Sequence, residues 1–458
     1  MPQSVLVISD LHLGGASDFQ MCSPDGQKLI AEFLEWTARR AHGGEDVHLV
    51  VNGDLVDFLA EVPFRALTVN DSDATRKFAE IVKRTKPVWD GFGAVASAGA
   101  RITILLGNHD LELTLPGPSA LLHETLGAGR ISFLFGGEAL DLGDVLIEHG
   151  NRCDSWNLVD HDSLRAIRSD ISRRFEPLPV FPAPPGSKLV VDVMNSVKKE
   201  LRFVDLLKPE TDAVLPLLVA LASVSVDQVQ LVVDYYREQS RERFDDGQRP
   251  VNRSKVSNVA TVVEQPMPPG AALALEMLAA NDDGVDYRHV GAGGPLDFFH
   301  LWKTRSKERR HEMLGRLYEA FRYRVAEYGA AYSIDQERPE YLRAANASAH
   351  AGFKTVVYGH THLAKRAPLV EGATYLNAGT WADLMRIPPG VLQGNRLVAL
   401  GELEAFVGAL ESNDLGNWRR PRPTFAQIVM EGEDQITADV FRYIGGEEHT
   451  PLTDDGIW

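Results

Sequence analysis

Five short apolar runs, each followed at once by Asp, Asn or His residues, constrain the fold of this chain more than any other feature. The runs span residues 5–8, 47–51, 102–106, 145–147 and 355–358. Their length and their content of Val, Ile and Leu predict buried strands. A helical pattern through Leu29, Phe33 and Trp36 separates the first two runs. Alternation of strands with helices predicts an α/β layered sheet.

The polar residues after the runs form five ordered clusters. In chain order they contain Asp10 and His12; Asp54 and Asp57; Asn108 and His109; His149; and His360 and His362. One such cluster alone is more often an ordinary turn. The carboxyl ends of strands in an open α/β sheet, however, are where ligands bind, so five clusters in this position predict one shared site.

The side chains of these clusters favour metal binding without thiolate ligands. Imidazole nitrogens and hard oxygens suit Mn, Fe or Zn. The chain has only two cysteines, Cys22 and Cys153, so neither a disulfide framework nor a cysteine zinc site is indicated. We therefore expect a reducing, cytoplasmic location, and we find no leader segment typical of secretion.

The ordered clusters resemble the signature of the calcineurin-like metallophosphoesterases. That signature is Asp-X-His, Gly-Asp-X-X-Asp, Gly-Asn-His-Asp or Glu, a later His, and Gly-His-X-His. The resemblance covers residues 1–153 and 350–385 directly. Ser9 to Leu13 and the segment Asn377 to Trp381 resemble the nucleotide-lipid pyrophosphatase and phosphodiesterase branch.

The resemblance implies a role for each residue of the clusters. The first metal ion would be bound by Asp10, His12 and His362, and the second by Asn108, His149 and His360, with Asp54 bridging both. His109 would protonate the leaving group, and Asp57 would orient His109. Asp110 is an alternative partner for His109, and a cap at the start of a helix is an alternative role for Asp57.

A charge count indicates why such a site would favour a phosphate ester. Two divalent ions carry +4, whereas Asp10 and Asp54 carry about -2, so an anion is attracted. The metal ions would also produce a hydroxide nucleophile from bound water at neutral pH. We expect two divalent cations, with manganese as the first choice and Fe or Zn as alternatives.

The spacing of the clusters predicts a split domain. We expect a layered β-sandwich core of the αββα type formed by residues 1–153 and 350–458, with residues 154–349 as a large, mainly helical insertion or cap. The tail predicts a hairpin of residues 425–430 with 436–441. Nothing in the sequence indicates a segment long and apolar enough to cross a membrane, and the oligomeric state stays open.

Two groups of basic residues in the insertion are candidates for binding the rest of a substrate. One group is Arg165, Arg168, Arg173 and Arg174; the other is Lys303, Arg305, Lys307, Arg309, Arg310, Arg316, Arg322 and Arg324. A solvated helix face is the alternative reading of the second group, because Glu308, Glu312 and Glu319 are interleaved with it.

The sequence therefore predicts a metal-dependent hydrolase that cleaves a phosphodiester or pyrophosphate bond in a small or lipid-linked molecule. A DNA nuclease of the repair-exonuclease type is one alternative. The formal charge of -17 weighs against it, because Lys and Arg carry non-specific attraction to nucleic acid. A non-catalytic scaffold with the same fold is a second alternative. Phe58 and Leu59 replace the Arg and Gly typical of protein phosphatases, which argues against a phosphoprotein substrate.

Overall fold

The chain forms two compact units in a computed structural model that describes residues 2–15, 19–177, 181–199, 201–209, 217, 307–323, 325–431 and 435–453. The first unit consists of Met1–Val191, Tyr332–Asp383 and Pro421–Trp458. The second consists of Asp192–Ala331 and Leu384–Arg420. All predicted site residues belong to the first unit.

The strands alternate with helices through the first third of the chain and recur near its end. In chain order the strands are β1 Gln3–Ile8, β2 Asp46–Asn52, β3 Arg101–Leu105, β4 Arg130–Leu134, β5 Leu140–Asp141, β6 Val145–Ile147, β7 Leu207–Lys208, β8 Thr355–Tyr358, β9 Lys365–Pro368, β10 Thr374–Asn377, β11 Asp383–Arg386, β12 Arg420–Pro421, β13 Thr424–Glu431, β14 Gln435–Gly445 and β15 Glu448–Pro451. All five apolar runs lie in strands, except that β3 ends one residue before the end of the third run, at Leu105.

The helices have the sequence signals expected at their ends. They are α1 Pro24–His42, α2 Asp71–Arg84, α3 Lys86–Ser97, α4 Pro116–Leu126, α5 His161–Ser172, α6 Pro185–Leu189, α7 Asn195–Lys198, α8 Lys307–Tyr323, α9 Val325–Tyr332, α10 Pro339–His350, α11 Pro389–Gln393 and α12 Arg396–Ser412. In α1, for example, the Ser23 side chain accepts a hydrogen bond from the Gly26 N–H, and Pro24 occupies the first turn, where a missing N–H costs nothing.

The first unit contains two sheets. The larger has seven strands in the order β15-β14-β13-β1-β2-β3-β4, of which β1 to β4 run parallel. The smaller has the order β5-β6-β8-β10-β9, with β6, β8 and β10 parallel. The predicted hairpin is present, because β13 pairs antiparallel with β14. A third sheet, β12-β11-β7, consists mainly of residues of the second unit.

Alternating side chains of β1 show how the layers are built. Val5 and Val7 pack in one core cluster with Ile147 and Leu376 of the smaller sheet. Their neighbours Leu6 and Ile8 point to the opposite face, as the two-residue period of a strand requires, and they pack in the cluster that contains helices α1 to α4. The two sheets therefore face each other and share one core.

The smaller sheet is covered by a helix on its other face. Tyr341 and Ala345 of α10 pack with Val356, Tyr358 and Tyr375 of β8 and β10. The layers of the first unit thus run helix, sheet, sheet, helix. The predicted α/β sandwich of the αββα type is confirmed.

The segment predicted as an insertion contributes to both units. Residues 154–191 and 332–349 lie in the first unit, and 192–331 lie in the second, together with 384–420. Much of the segment, including Lys303, Arg305 and Arg324, lies outside the described residues. The boundaries 154–349 therefore stay a prediction. In the described part of the chain, no helix has the length and apolar content needed to span a bilayer.

His48 is a buried titratable group in the larger sheet, away from the predicted site. Its Nε2 lies 2.8 Å from the Thr103 hydroxyl oxygen. Burial lowers the pKa of His48 to about 4, and the charge of Arg101 acts in the same direction. The unfolded chain therefore takes up a proton near pH 6.5, whereas the folded chain does so only near pH 4, and stability falls between these values.

We expect His48→Gln to weaken the acid sensitivity of the metal-free protein. When the pH falls from 7 to 5, the free energy of unfolding of the wild type should decrease, and His48 should account for about 2 kcal/mol of that decrease. Urea unfolding at both pH values should show a correspondingly smaller loss in the variant. His350→Gln is the control, because His350 is exposed and pairs with Glu371, and it should behave as the wild type. Equal losses in wild type and His48→Gln would contradict the assignment.

Candidate metal centre

The parallel strands bring the five predicted clusters to one edge of the sandwich. Asp10 and His12 follow β1, Asp54 follows β2, and Asn108 follows β3, all at the carboxyl ends of parallel strands. His149 follows β6, and the His360 segment follows β8, which is parallel to β6. The clusters meet where open α/β sheets bind ligands.

Asp10, His12 and His362 form the first of three groups of candidate ligands. The Nε2 atoms of His12 and His362 are 3.0 Å apart. Asp10 Oδ1 lies 3.4 Å from the Nε2 atom of His362 and 3.9 Å from that of His12. All three residues are buried, so the two imidazoles and the carboxylate face one small space that has little access to solvent.

Asp54, His149 and His360 form the second group. Asp54 Oδ2 lies 3.3 Å from His149 Nε2 and 3.7 Å from His12 Nε2. Asp54 therefore lies between the first and second groups. Burial lowers the pKa of His149, but the Asp54 carboxylate outweighs this and raises it to about 10. Burial raises the pKa of Asp54, but the charges of His149, His109 and His12 together outweigh burial and hold this pKa well below its usual range.

Four of the predicted ligands use one polar atom to bind the protein and turn the other toward the centre. Asp10 Oδ2 accepts hydrogen bonds from the Ser9 hydroxyl and the His360 N–H. Asp54 Oδ1 accepts the His109 N–H at 2.9 Å. His149 Nδ1 donates to the Asn52 carbonyl at 2.8 Å. The Asn108 amide nitrogen contacts Asn157 at 3.4 Å.

The second atoms of this set fit a metal ion. Asp10 Oδ1, Asn108 Oδ1 and His149 Nε2 are buried and have no hydrogen-bond partner in the described part of the chain. A buried acceptor without a partner costs about 1 to 3 kcal/mol. Carboxylate and amide oxygens together with imidazole nitrogens are the donor set of Mn, Fe and Zn, so a divalent cation among these atoms would remove the cost.

His109 and Asp57 form the third group, together with His12. Asp57 Oδ1 lies 3.1 Å from His109 Nδ1, and His109 outweighs burial in holding the pKa of Asp57 well below its usual range. The same oxygen accepts the Leu59 and Ala60 N–H groups. Asp57 thus contacts His109 and also caps the short turn Phe58–Ala60. The side chain of His109 is 18% exposed, more than that of any other member of the three groups, so it can reach a bound molecule.

Asp110 has a different place from the one suggested as an alternative. Its carboxylate accepts the Leu55 N–H and the Gly107 N–H, each at 2.8 Å. It therefore joins the loops after β2 and β3 instead of orienting His109. Burial raises the pKa of Asp110 to about 7, and the neighbouring Asp54 carboxylate acts in the same direction.

The backbone at the site is strained in a way that its sequence does not reveal. Five predicted ligands have positive φ angles: Asp10 (55°), His12 (45°), Asp54 (50°), His360 (68°) and His362 (63°). The left-handed region is unfavourable for residues with a Cβ atom, and such strain concentrates at functional sites.

Two glycines of the motifs are needed because ligand side chains lie against them. A Cβ atom on Gly107 would lie 2.0 Å from Asp54 Oδ1. One on Gly359 would lie 2.0 Å from the Ser9 hydroxyl and 2.7 Å from Asp10 Oδ2. Any larger residue would displace a predicted ligand.

Sequence reasoning missed the roles of several residues that hold the loops. The Thr380 hydroxyl donates to the Asp10 carbonyl at 2.7 Å, and the Asn377 amide donates to the Gly359 carbonyl at 2.8 Å. Asp154 Oδ2 lies 3.3 Å from His360 Nε2. The resemblance of the Asn377 to Trp381 segment was the available signal for the first two residues, whereas Asp154 had only its nearness to His149 in sequence.

Comparison with known proteins supports the family assignment. Residues 4–185 match the family model described as calcineurin-like phosphoesterase, and no curated protein matches the chain. The matched region contains Asp10, Asp54, Asn108 and His149, and the fold adds His360 and His362 from a distant part of the sequence. The match supports the resemblance to the calcineurin-like phosphoesterases over residues 4–185, and the buried Asp and His groups could hold the metal ions that this family uses to hydrolyse phosphoesters.

Proposed function

We propose that this chain is a phosphoric ester hydrolase that cleaves a phosphodiester or pyrophosphate bond by attack of water at a two-metal centre. The observation that carries the proposal is the pair of buried ligand groups with Asp54 between them. In this proposal Asp10, His12 and His362 would hold one ion, and Asn108, His149 and His360 would hold the other. Asp54 lies between the two groups and would serve both.

The proposed cofactor is a pair of divalent cations, with manganese first and Fe or Zn as alternatives. Such ions supply Lewis acidity and lower the pKa of bound water from about 15.7 to about 7. The ligands carry only two carboxylates, Asp10 and Asp54, against four imidazoles and one amide. The loaded centre therefore keeps excess positive charge, which favours an anionic substrate.

His109 is proposed as the general acid that protonates the departing oxygen. Its Nδ1 faces the Asp57 carboxylate, which favours the protonated ring that a general acid needs. The ring of His109 also lies 4.7 Å from that of His12, measured between centroids, which keeps it beside the first ligand group. Asp57, fixed by two backbone N–H groups, would hold the orientation of His109.

An open pocket supports a substrate that extends beyond the scissile phosphate. Phe133, Phe135, Arg165 and Arg168 contribute to the lining of a pocket of about 530 Å³. Leu134 of β4 lies opposite Leu105 of β3 in parallel register, so Phe135 leaves the same edge of the sheet as the loop carrying Asn108. Neighbouring strands are about 4.8 Å apart, so the ends of β3 and β4 lie side by side.

The chemistry of this pocket fits a group with both a flat or hydrocarbon surface and negative charge. The rings of Phe133 and Phe135 stack at 5.2 Å, and the Arg168 guanidinium lies 5.8 Å from the centre of the Phe135 ring. Nucleotide and lipid-linked phosphates have this combination. In the second basic group, Arg310 pairs with Glu411 and Arg322 binds the Leu392 carbonyl.

The remaining features agree with a small or lipid-linked substrate more than with a phosphoprotein. Phe58 is fully buried in the core where protein phosphatases have a cation. A DNA nuclease is the alternative, and no feature of the described residues favours it. Cys22 and Cys153 form no disulfide with each other, which is the basis of the proposed cytoplasmic location.

The metal proposal predicts that the protein reconstituted with Mn²⁺ binds about two ions per chain and loses turnover when treated with a chelator. Asp54→Ala should weaken binding of both ions, because Asp54 contacts both groups. Asp46→Ala is the control: Asp46 lies at the opposite end of the same strand. Metal analysis by mass spectrometry checks the stoichiometry. Absence of bound metal after reconstitution with Mn, Fe and Zn would contradict the proposal.

The acid role predicts that His109→Ala lowers kcat by about 10²- to 10⁴-fold for an alkyl ester while metal content stays at the wild-type level. The loss should shrink for a nitrophenyl ester, because nitrophenolate departs without a proton. His350→Ala, an exposed imidazole outside the centre, is the control. Equal losses for both esters, or the loss of one metal equivalent, would show that His109 has another role.

The pocket predicts that Arg168→Ala raises KM about tenfold for a nucleotide-containing diester and leaves a small nitrophenyl diester unaffected. One charge-assisted hydrogen bond is worth about that much. Arg173→Ala is the matched control, since Arg173 lies at the end of the same helix and bonds to Ser169. If both substrates respond equally to Arg168→Ala, the pocket does not select the substrate.

A further inference from the structure

Asp154 lies in the loop that follows His149 and has no role in the proposal above. Its Oδ1 accepts a hydrogen bond from the Trp156 N–H at 2.9 Å, and its Oδ2 accepts one from the Asn157 side-chain amide at 2.8 Å. The same Oδ2 lies 3.3 Å from His360 Nε2. The carboxylate is therefore fixed by its own loop and directed at an imidazole that is 206 residues away in sequence.

The contact with Asp154 determines how His360 can bind a metal ion. A carboxylate oxygen accepts hydrogen bonds, so Nε2 carries the N–H that donates to it. The lone pair of the neutral ring is then on Nδ1. Metal-binding histidines commonly donate their other N–H to a carboxylate, which fixes the tautomer and the ring orientation.

Asn157 makes the corresponding contact with the second predicted ligand. Its Oδ1 lies 3.4 Å from the Asn108 amide nitrogen. With its nitrogen held there, Asn108 turns Oδ1 away from Asn157, and this oxygen is buried without a hydrogen-bond partner among the described residues. The Asn157 backbone is itself held, because its carbonyl accepts from the Asn151 amide at 2.9 Å.

We propose that Asp154 and Asn157 are positioning residues for the second metal ion, with Asp154 orienting His360 and Asn157 orienting Asn108. This inference rests on the proposed two-metal function. It makes the second ion's site dependent on one short loop, because Asp154 and Asn157 also bond to each other.

The inferred effect is confined to one ion. Within the described residues, the hydrogen bonds and ion pairs of the Asp154 and Asn157 side chains reach His360 and Asn108, and none reaches Asp10, His12 or His362. Loss of either side chain should therefore affect the two ions unequally. A general loss of folding would affect both.

The test is titration calorimetry of the metal-free full chain with Mn²⁺. Asp154→Ala should lower the affinity for the second ion by about 10- to 100-fold and leave the affinity for the first ion unchanged. Asn157→Ala should do the same through Asn108. Asp154→Asn keeps one acceptor oxygen, which can face His360 only by giving up the bond from the Trp156 N–H, so it should recover part of the affinity. Asp160→Ala is the control, since Asp160 lies in the same segment and caps α5.

The outcomes separate this inference from the function on which it rests. Thermal unfolding of the metal-free Asp154→Ala protein should stay close to that of the wild type. If the wild type and Asp154→Ala bind both ions with the same affinities, the positioning role alone is overturned. Equal weakening of both ions, with a lower Tm of the metal-free protein, would also overturn it in favour of a structural role. A wild type that binds no ions would overturn both the positioning role and the proposed function.

Discussion

The structure of the site depends on buried polar atoms that have no hydrogen-bond partner among the described residues. Asp10 Oδ1, Asn108 Oδ1 and His149 Nε2 are all of this kind, and each belongs to a side chain whose other polar atom is already bound to the protein. Proteins rarely bury acceptors without partners, because no hydrogen bond then compensates for the free energy lost when water is removed from the acceptor. A divalent cation is the simplest group that can satisfy several converging acceptors at once.

The protein has to hold these repelling groups together at a cost in backbone energy. Five predicted ligands lie in the left-handed region, and hydrogen bonds between loops counter the strain. Asp110 joins the loops after β2 and β3, and Thr380 holds the carbonyl of Asp10. Gly107 and Gly359 leave the space that the ligand carboxylates need. The sandwich below supplies a rigid edge, which makes the strain tolerable.

The two halves of the proposed centre are supported differently. The first group, with Asp10 and His362, is held mainly by segments of the core that follow β1 and β10. The second group is also held by Asp154 and Asn157 from the loop after His149. That loop leads directly into α5, which carries Arg168 of the pocket. A substrate that contacts α5 would therefore be linked by a few residues to the ligands of the second ion.

By itself the sequence determined the chemistry of the site and the class of fold. Apolar runs predicted the strands, and the polar residues after them predicted which edge would carry the ligands, because strand periodicity and the geometry of parallel sheets are local properties that the sequence encodes directly. The split of the core across a distant segment also followed, since His360 and His362 complete a set that begins with Asp10.

Only the tertiary structure decided how each ligand is held. The contact of Asp154 with His360 and the use of Asp110 as a link between loops join segments that no periodic pattern connects. The left-handed φ angles of the ligands were also not predicted, since Asp and His were expected there for their chemistry alone. Such features depend on which loops become neighbours, and the loops become neighbours only when the two sheets pack against each other.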